Sequence, residues 1–123
     1  MASGRRIYIV DDDQEIVSLM TTLLEARGHR VQSNLVGAFA IPEIIEMRPH
    51  CVLLDMVMAE IDGYGLAAEL KGRRELATTK LVMVSARSGA LWSEQSRAAG
   101  LDGFIGKPFD IATFAAEVEA FLD

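Results

Sequence analysis

Short unbroken apolar runs alternate along the chain with longer stretches in which apolar residues recur every three or four positions. The runs are Ile7-Tyr8-Ile9-Val10, Cys51-Val52-Leu53-Leu54, Leu81-Val82-Met83-Val84 and Phe104-Ile105-Gly106. Each is too short for a globular helix and apolar at successive positions. They read as strands buried on both faces, the pattern of a parallel sheet covered by helices. Arg30 to Ser33 reads as a weaker strand. Between the strands lie helical patterns. Gln14 to Arg27 puts Ile16, Met20, Leu23 and Leu24 on one face, with Asp13 suited to the N-cap and Gly28 to the stop. A helix is expected between Ala38 and Met47, where Pro42 marks either a start near Ile41 or a bend, and Pro49 ends the element. Gly63 to Leu70 turns Leu66, Ala67 and Leu70 inward. Leu91 to Ala99 carries only a thin face of Leu91, Gln95 and Ala98, and Gly100 stops it. Asp110 caps a final helix with Ile111, Phe114, Ala115, Val118 and Phe121 on one side. The (βα) unit thus occurs five times, which predicts a single α/β domain over residues 1–123, a parallel sheet between two helical layers.

Composition narrows the function classes. A chain of 123 residues can bury roughly two-thirds of its unfolded surface, enough for one core without staples. The formal net charge of −6 gives no support to nucleic-acid binding by the domain as a whole. Arg5-Arg6 and Arg73-Arg74 read as solvated basic pairs. Cys51 is the only cysteine, which excludes a disulfide framework and a thiolate metal cluster, and its place in an apolar run predicts a buried, inert thiol. The apolar run near the N-terminus is too short for a signal peptide, and none approaches the ~20 residues needed to span a bilayer. A soluble, cytoplasmic protein without membrane association is expected.

The strands end in residues capable of chemistry. The first ends in Asp11-Asp12-Asp13, the third in Asp55, the fourth in Ser85 and the fifth in Lys107-Pro108. Open parallel sheets place ligands beyond the carboxyl ends of their strands, so these groups would meet at one edge and suit a divalent cation with a phosphoryl group. Crowded carboxylates repel, and a hard cation relieves that cost. Helix capping accounts for Asp13, but three consecutive caps are redundant, so Asp11 and Asp12 are assigned to the metal. Asp55 reads either as a third metal ligand or as a carboxylate nucleophile toward phosphorus, and one residue can serve as both. Ser85 could donate its hydroxyl to a phosphoryl oxygen, and Lys107 could neutralise another. As isolated residues, Asp55, Ser85 and Lys107 would be ordinary turn or surface positions, and their convergence is what favours the chemical reading. The isomer of the Lys107–Pro108 bond stays open.

Over essentially its whole length the chain resembles the receiver domain of two-component response regulators, in a form similar to the single-domain chemotaxis-type regulators. The matching stretches are Val10-Asp11-Asp12-Asp13, Pro49 through Asp55-Met56, Asp62-Gly63, Val84-Ser85-Ala86, and Ala99-Gly100 through Phe104 to Lys107-Pro108-Phe109. Each is weak alone, and five in order at this spacing are strong. The resemblance implies a flavodoxin-like three-layer sandwich with sheet order 2-1-3-4-5. It implies that Asp55 accepts the phosphoryl group. Asp11 and Asp12 would hold Mg2+ (Mn2+ is a possible substitute), with Asp12 favoured as the direct ligand and the carbonyl of Val57 as another. Ser85 and Phe104 would form the switch, and Lys107 would be the lysine of the site. The donor would be a histidine kinase or a histidine phosphotransfer protein. Output would pass to an unidentified downstream protein through the face of the fourth helix, fifth strand and fifth helix, from a monomer or weak homodimer. No turnover is implied beyond phosphorylation and dephosphorylation of the chain itself.

Departures from the family pattern are Ala59 where proline is common, Phe104 where tyrosine is frequent, and an apolar Val57 that would not orient an attacking water. Trp92 is assigned equally to shielding its helix and to a partner contact. Three other readings compete. An aspartate-nucleophile phosphatase would need an acid where Val57 stands. A flavodoxin would need a phosphate-cradling first loop, which Asp11 to Asp13 would repel. A degenerate receiver acting only as an interaction module would not need the complete set of site residues.

Overall fold

Apolar side chains at successive positions can all be buried only if both faces of a sheet are covered, and that is what the chain does. The protein, seen here in a computed structural model, is described over residues 4–55, 63–85 and 100–122. Strands β1 (Arg6–Val10), β2 (Arg30–Asn34), β3 (Cys51–Leu54), β4 (Lys80–Ser85) and β5 (Gly103–Gly106) form one parallel sheet in the order β2-β1-β3-β4-β5. Helices α1 (Gln14–Glu25), α2 (Gly37–Met47), α3 (Gly63–Lys71) and a C-terminal helix (Phe114–Leu122) cover it, and a short 3-10 turn (Arg74–Leu76) precedes β4. This is the expected flavodoxin-like arrangement. The expected Leu91–Ala99 helix, with Trp92, lies outside the described residues.

Strand alternation divides the core in two. Ile7, Ile9, Leu53, Val82, Val84 and Ile105 face Val17, Met20 and Leu24 of α1 and Phe114 and Val118 of the C-terminal helix. Tyr8, Val10, Val52, Leu54 and Met83 face the other way, against Ala40 and Ile44 of α2 and Leu66 and Leu70 of α3. The Tyr8 hydroxyl is satisfied by donating to Glu43. Edge strand β2 is largely exposed, which is why it reads as the weakest strand.

Local chemistry sets the element ends. Asp13 caps α1 by accepting from the N–H groups of Glu15 (3.0 Å) and Ile16 (3.4 Å). Gly28, at φ +89°, makes the left-handed turn into β2. Two expectations are corrected. The α2 helix starts at Gly37 and continues through Pro42. Ala38 and Pro42 are both exposed, so the carbonyl that loses its donor can be hydrated. Ile111 is 60% exposed, because the final helix begins only at Phe114. Asp110 instead closes a turn, accepting from the Ala112 N–H at 2.8 Å and, through its carbonyl, from Phe114 at 2.9 Å.

Glu119 ties the C-terminal helix to the α1–β2 junction. Its carboxylate accepts two bonds from Arg27, at 3.0 and 2.5 Å, and one from buried His29 Nε2 at 2.8 Å. His29 Nδ1 accepts the Arg5 N–H, which leaves the imidazole proton on Nε2. The Arg27 guanidinium, with His29 adding to it, holds the Glu119 carboxyl below the usual glutamate range. A depressed folded-state value means stability present above the unfolded value of about 4.5 and lost as pH falls through the folded one. Glu119→Gln is expected to cost about 1–2 kcal/mol at neutral pH, a modest figure because Arg27 is half exposed. The gap between parent and variant should narrow in urea titrations run at progressively lower pH, and a gap independent of pH would refute the assignment.

Candidate functional site

The hydrogen-bond ladders run one residue past the ends of the strands and fix the backbone of the site. Asp11 N–H donates to Asn34 O (3.4 Å), Asp55 N–H to Val10 O (3.0 Å) and Lys107 N–H to Ser85 O (2.8 Å). The residues that end separate apolar runs are thereby brought to one edge. Oxygens of Asp11, Asp12 and Asp55 all lie within 4.8 Å of one another. Asp11 is buried, Asp55 partly buried and Asp12 exposed, so the cluster opens to solvent on the Asp12 side.

Lys107 stands inside this group. Its Nζ is 2.6 Å from Asp11 Oδ2 and 3.7 Å from Asp55 Oδ2. The other oxygen of Asp11 accepts the Asp13 N–H at 2.9 Å. A buried carboxylate is tolerable only with such compensation, and Asp11 receives it on both oxygens. The Lys107–Pro108 peptide is cis. Lys107, expected from the sequence to face a phosphoryl oxygen, is bonded to Asp11, 96 positions away, a contact that no sequence pattern signals.

Ser85 is buried at the end of β4, opposite Gly106 of β5. By strand alternation it shares a sheet face with Met83, whose partner across the ladder is Phe104. Phe104 is partly buried against the cluster containing Met83 and Leu101, and its ring reaches alongside Gly106, where an added Cβ would sit 3.6 Å from Phe104 Cε1. Ser85 and the Phe104 ring therefore flank the same bare position on one face of the sheet. Asp13 lies beside the acidic group as a helix cap. Val57, together with Ala59 and Ala86, lies outside the described residues.

The family model for the response regulator receiver domain matches residues 7–119. The chain belongs to that family. This receiver domain is 34% identical over 125 residues to the transcriptional regulatory protein GltR of Pseudomonas aeruginosa, a match covering 98% of this chain and 50% of GltR. It spans about half the length of several curated relatives that it matches. A CheY-like receiver domain protein from Methanospirillum hungatei superposes with a TM-score of 0.88 at 26% identity, over 98% of this chain and 95% of that one. The chemotaxis response regulator CheY4 of Vibrio cholerae gives 0.90 at 18% identity over 97% and 99%, and shows the same fold. The chain is thus a response regulator receiver domain with an acidic pocket of Asp11, Asp12 and Asp55.

Proposed function

We propose that residues 1–123 form one phospho-acceptor domain in which Asp55 takes a phosphoryl group from a phosphohistidine on a histidine kinase or phosphotransfer protein. The P–N bond of the donor breaks as an Asp55 oxygen forms the new P–O bond. The observation that carries this reading is the convergence of three carboxylates around one ammonium, with Lys107 2.6 Å from Asp11 and 3.7 Å from Asp55.

The donor set fits magnesium, and by the same chemistry manganese: hard carboxylate oxygens, closely grouped, on a side open to the water that completes an octahedron. Asp12 would be the direct ligand, because its exposed carboxylate is available while Lys107 and the Asp13 N–H occupy both Asp11 oxygens. Asp55 and, by resemblance, the Val57 carbonyl complete the protein's share. Held there, magnesium would supply charge neutralisation for the phosphoryl oxygens and the carboxylates together. Lys107, already 3.7 Å from Asp55, takes up a further phosphoryl oxygen. Ser85 donates its hydroxyl to the modified Asp55, and the Phe104 ring responds across Gly106, which carries the change to the face formed by the fourth helix of the sequence, β5 and the C-terminal helix.

The domain turns over no other substrate in this reading. It works in the cytoplasm as a monomer or weak homodimer, and no nucleic acid or membrane binds through it. Among the described residues, no helix is long and apolar enough to cross a membrane. Incubation with magnesium and a small acyl phosphate, followed by intact mass measurement, is expected to add one phosphoryl group. No addition with this donor or with any histidine kinase would overturn the reading.

A further inference from the structure

The opposite edge of the sheet repeats the logic of the acidic pocket with the sign reversed. The His50 N–H donates to Arg6 O (2.8 Å) and the Lys80 N–H to His50 O (2.9 Å). Arg6, His50 and Lys80 therefore gather at the amino ends of β1, β3 and β4, with Lys80 one register step beyond His50, opposite Cys51. They line a cleft of about 400 Å³ with Arg5, Arg48 and Thr78. A third of the chain's lysines and arginines, 4 of 12, gather here, and among the described lining residues Glu75 is the one carboxylate. The rest of this acidic protein offers no comparable concentration of positive charge among the described residues.

We propose that this cleft is a binding site for a small free anion of the phosphate class, with pyrophosphate preferred over orthophosphate. Arg6 is fixed in place by neutral acceptors, Nε to Met47 O (3.2 Å) and Nη2 to Arg48 O (2.8 Å). Those bonds cap the end of α2 and leave the guanidinium charge uncompensated. Capping explains Arg6 but not its neighbours: Arg48 and Lys80 make no ion pair among the described residues. His50 Nδ1 accepts the Arg6 N–H at 2.9 Å, so in the neutral ring Nε2 carries the proton and is a donor. The cleft offers guanidinium forks, an ammonium, an imidazole N–H and a hydroxyl, the set that oxyanions recruit. Burial and, after it, the charges of Arg6 and Arg5 push His50 below the usual histidine range, which records the positive field. Among the described residues, Pro49 and Leu122 are the only apolar ones lining the cleft and no Phe, Tyr or Trp joins them, so these residues offer no shelf for a nucleobase. The charge favours a compact anion, and more charges on it favour pyrophosphate.

The test is a titration of the 15N-labelled chain with sodium pyrophosphate, and separately with orthophosphate, in metal-free buffer. Amide shifts should localise at residues 5–6, 48–50 and 78–80, saturate below about 1 mM pyrophosphate at low salt and weaken as salt rises. The His50 pKa should rise as the anion offsets the field. Arg48→Gly and Lys80→Gln should each weaken binding about tenfold. Arg48 adopts φ +49°, so glycine removes its charge without strain. Shifts still linear at about 10 mM, equal shifts at Arg27, Arg73 and Arg74, tighter binding of orthophosphate, or unchanged affinity in both variants would each overturn the proposal.

Discussion

An Asp55→Asn variant will take up no phosphoryl group from a small acyl phosphate or from a cognate kinase, yet will fold as stably as the parent. The amide is nearly isosteric with the carboxylate but is no nucleophile at phosphorus. Its backbone contribution, the N–H bond to Val10 O at 3.0 Å, is untouched. Removing one of three carboxylates whose oxygens lie within 4.8 Å also relieves repulsion in metal-free buffer, which offsets the lost attraction to Lys107 at 3.7 Å. Stability by urea titration should stay within about 1 kcal/mol of the parent. Intact mass and denaturation on one sample separate loss of the acceptor from loss of the fold. A phosphoryl adduct retained in this variant would move the acceptor to another residue.

The acidic pocket was legible in the sequence because parallel strands impose it. Once Ile7–Val10, Cys51–Leu54, Leu81–Val84 and Phe104–Gly106 are read as strands of one parallel sheet, their polar ends must share an edge, whatever lies between them. Asp13 was legible as a cap for the same local reason. What stayed hidden depends on side chains meeting across long separations. The Lys107–Asp11 bond and the Glu119 cluster with Arg27 and His29 each join positions at least 90 residues apart, and no periodicity encodes them. Arg5-Arg6 read as a solvated pair because His50 and Lys80 are far away in sequence, and only the backbone ladder from β1 through β3 to β4 brings them to one end of the sheet. Ile111 was misplaced because a helical repeat does not show where the first turn begins, and the turn closed by Asp110 delays the helix to Phe114. Pro42 read as either a start near Ile41 or a bend because proline removes a helix bond, and the helix runs through it because an exposed carbonyl can lose its donor at little cost.

Lys107→Met will couple folding to metal more strongly than any other single change in the site. Methionine keeps much of the length and apolar stem of lysine and removes only the ammonium. Asp11, with 2% of its side chain exposed, then loses the cation held at 2.6 Å, and Asp55 loses the one at 3.7 Å. The Asp13 N–H still serves one oxygen of Asp11, but a hydrogen bond does not cancel the charge shared with Asp12 and Asp55. Breaking a buried pair by removing one partner costs about 3–5 kcal/mol. The lower end, about 3 kcal/mol, applies here because the cluster meets solvent at Asp12. If magnesium binds the folded carboxylate cluster as proposed, and not the unfolded chain, it should restore most of that loss, and saturating metal should stabilise this variant more than it stabilises the parent. Urea titrations with and without magnesium measure both quantities. A variant as stable as the parent in metal-free buffer would show that Lys107 does not neutralise the acidic group, and a loss that magnesium fails to reverse would show that the three carboxylates do not act together as its site.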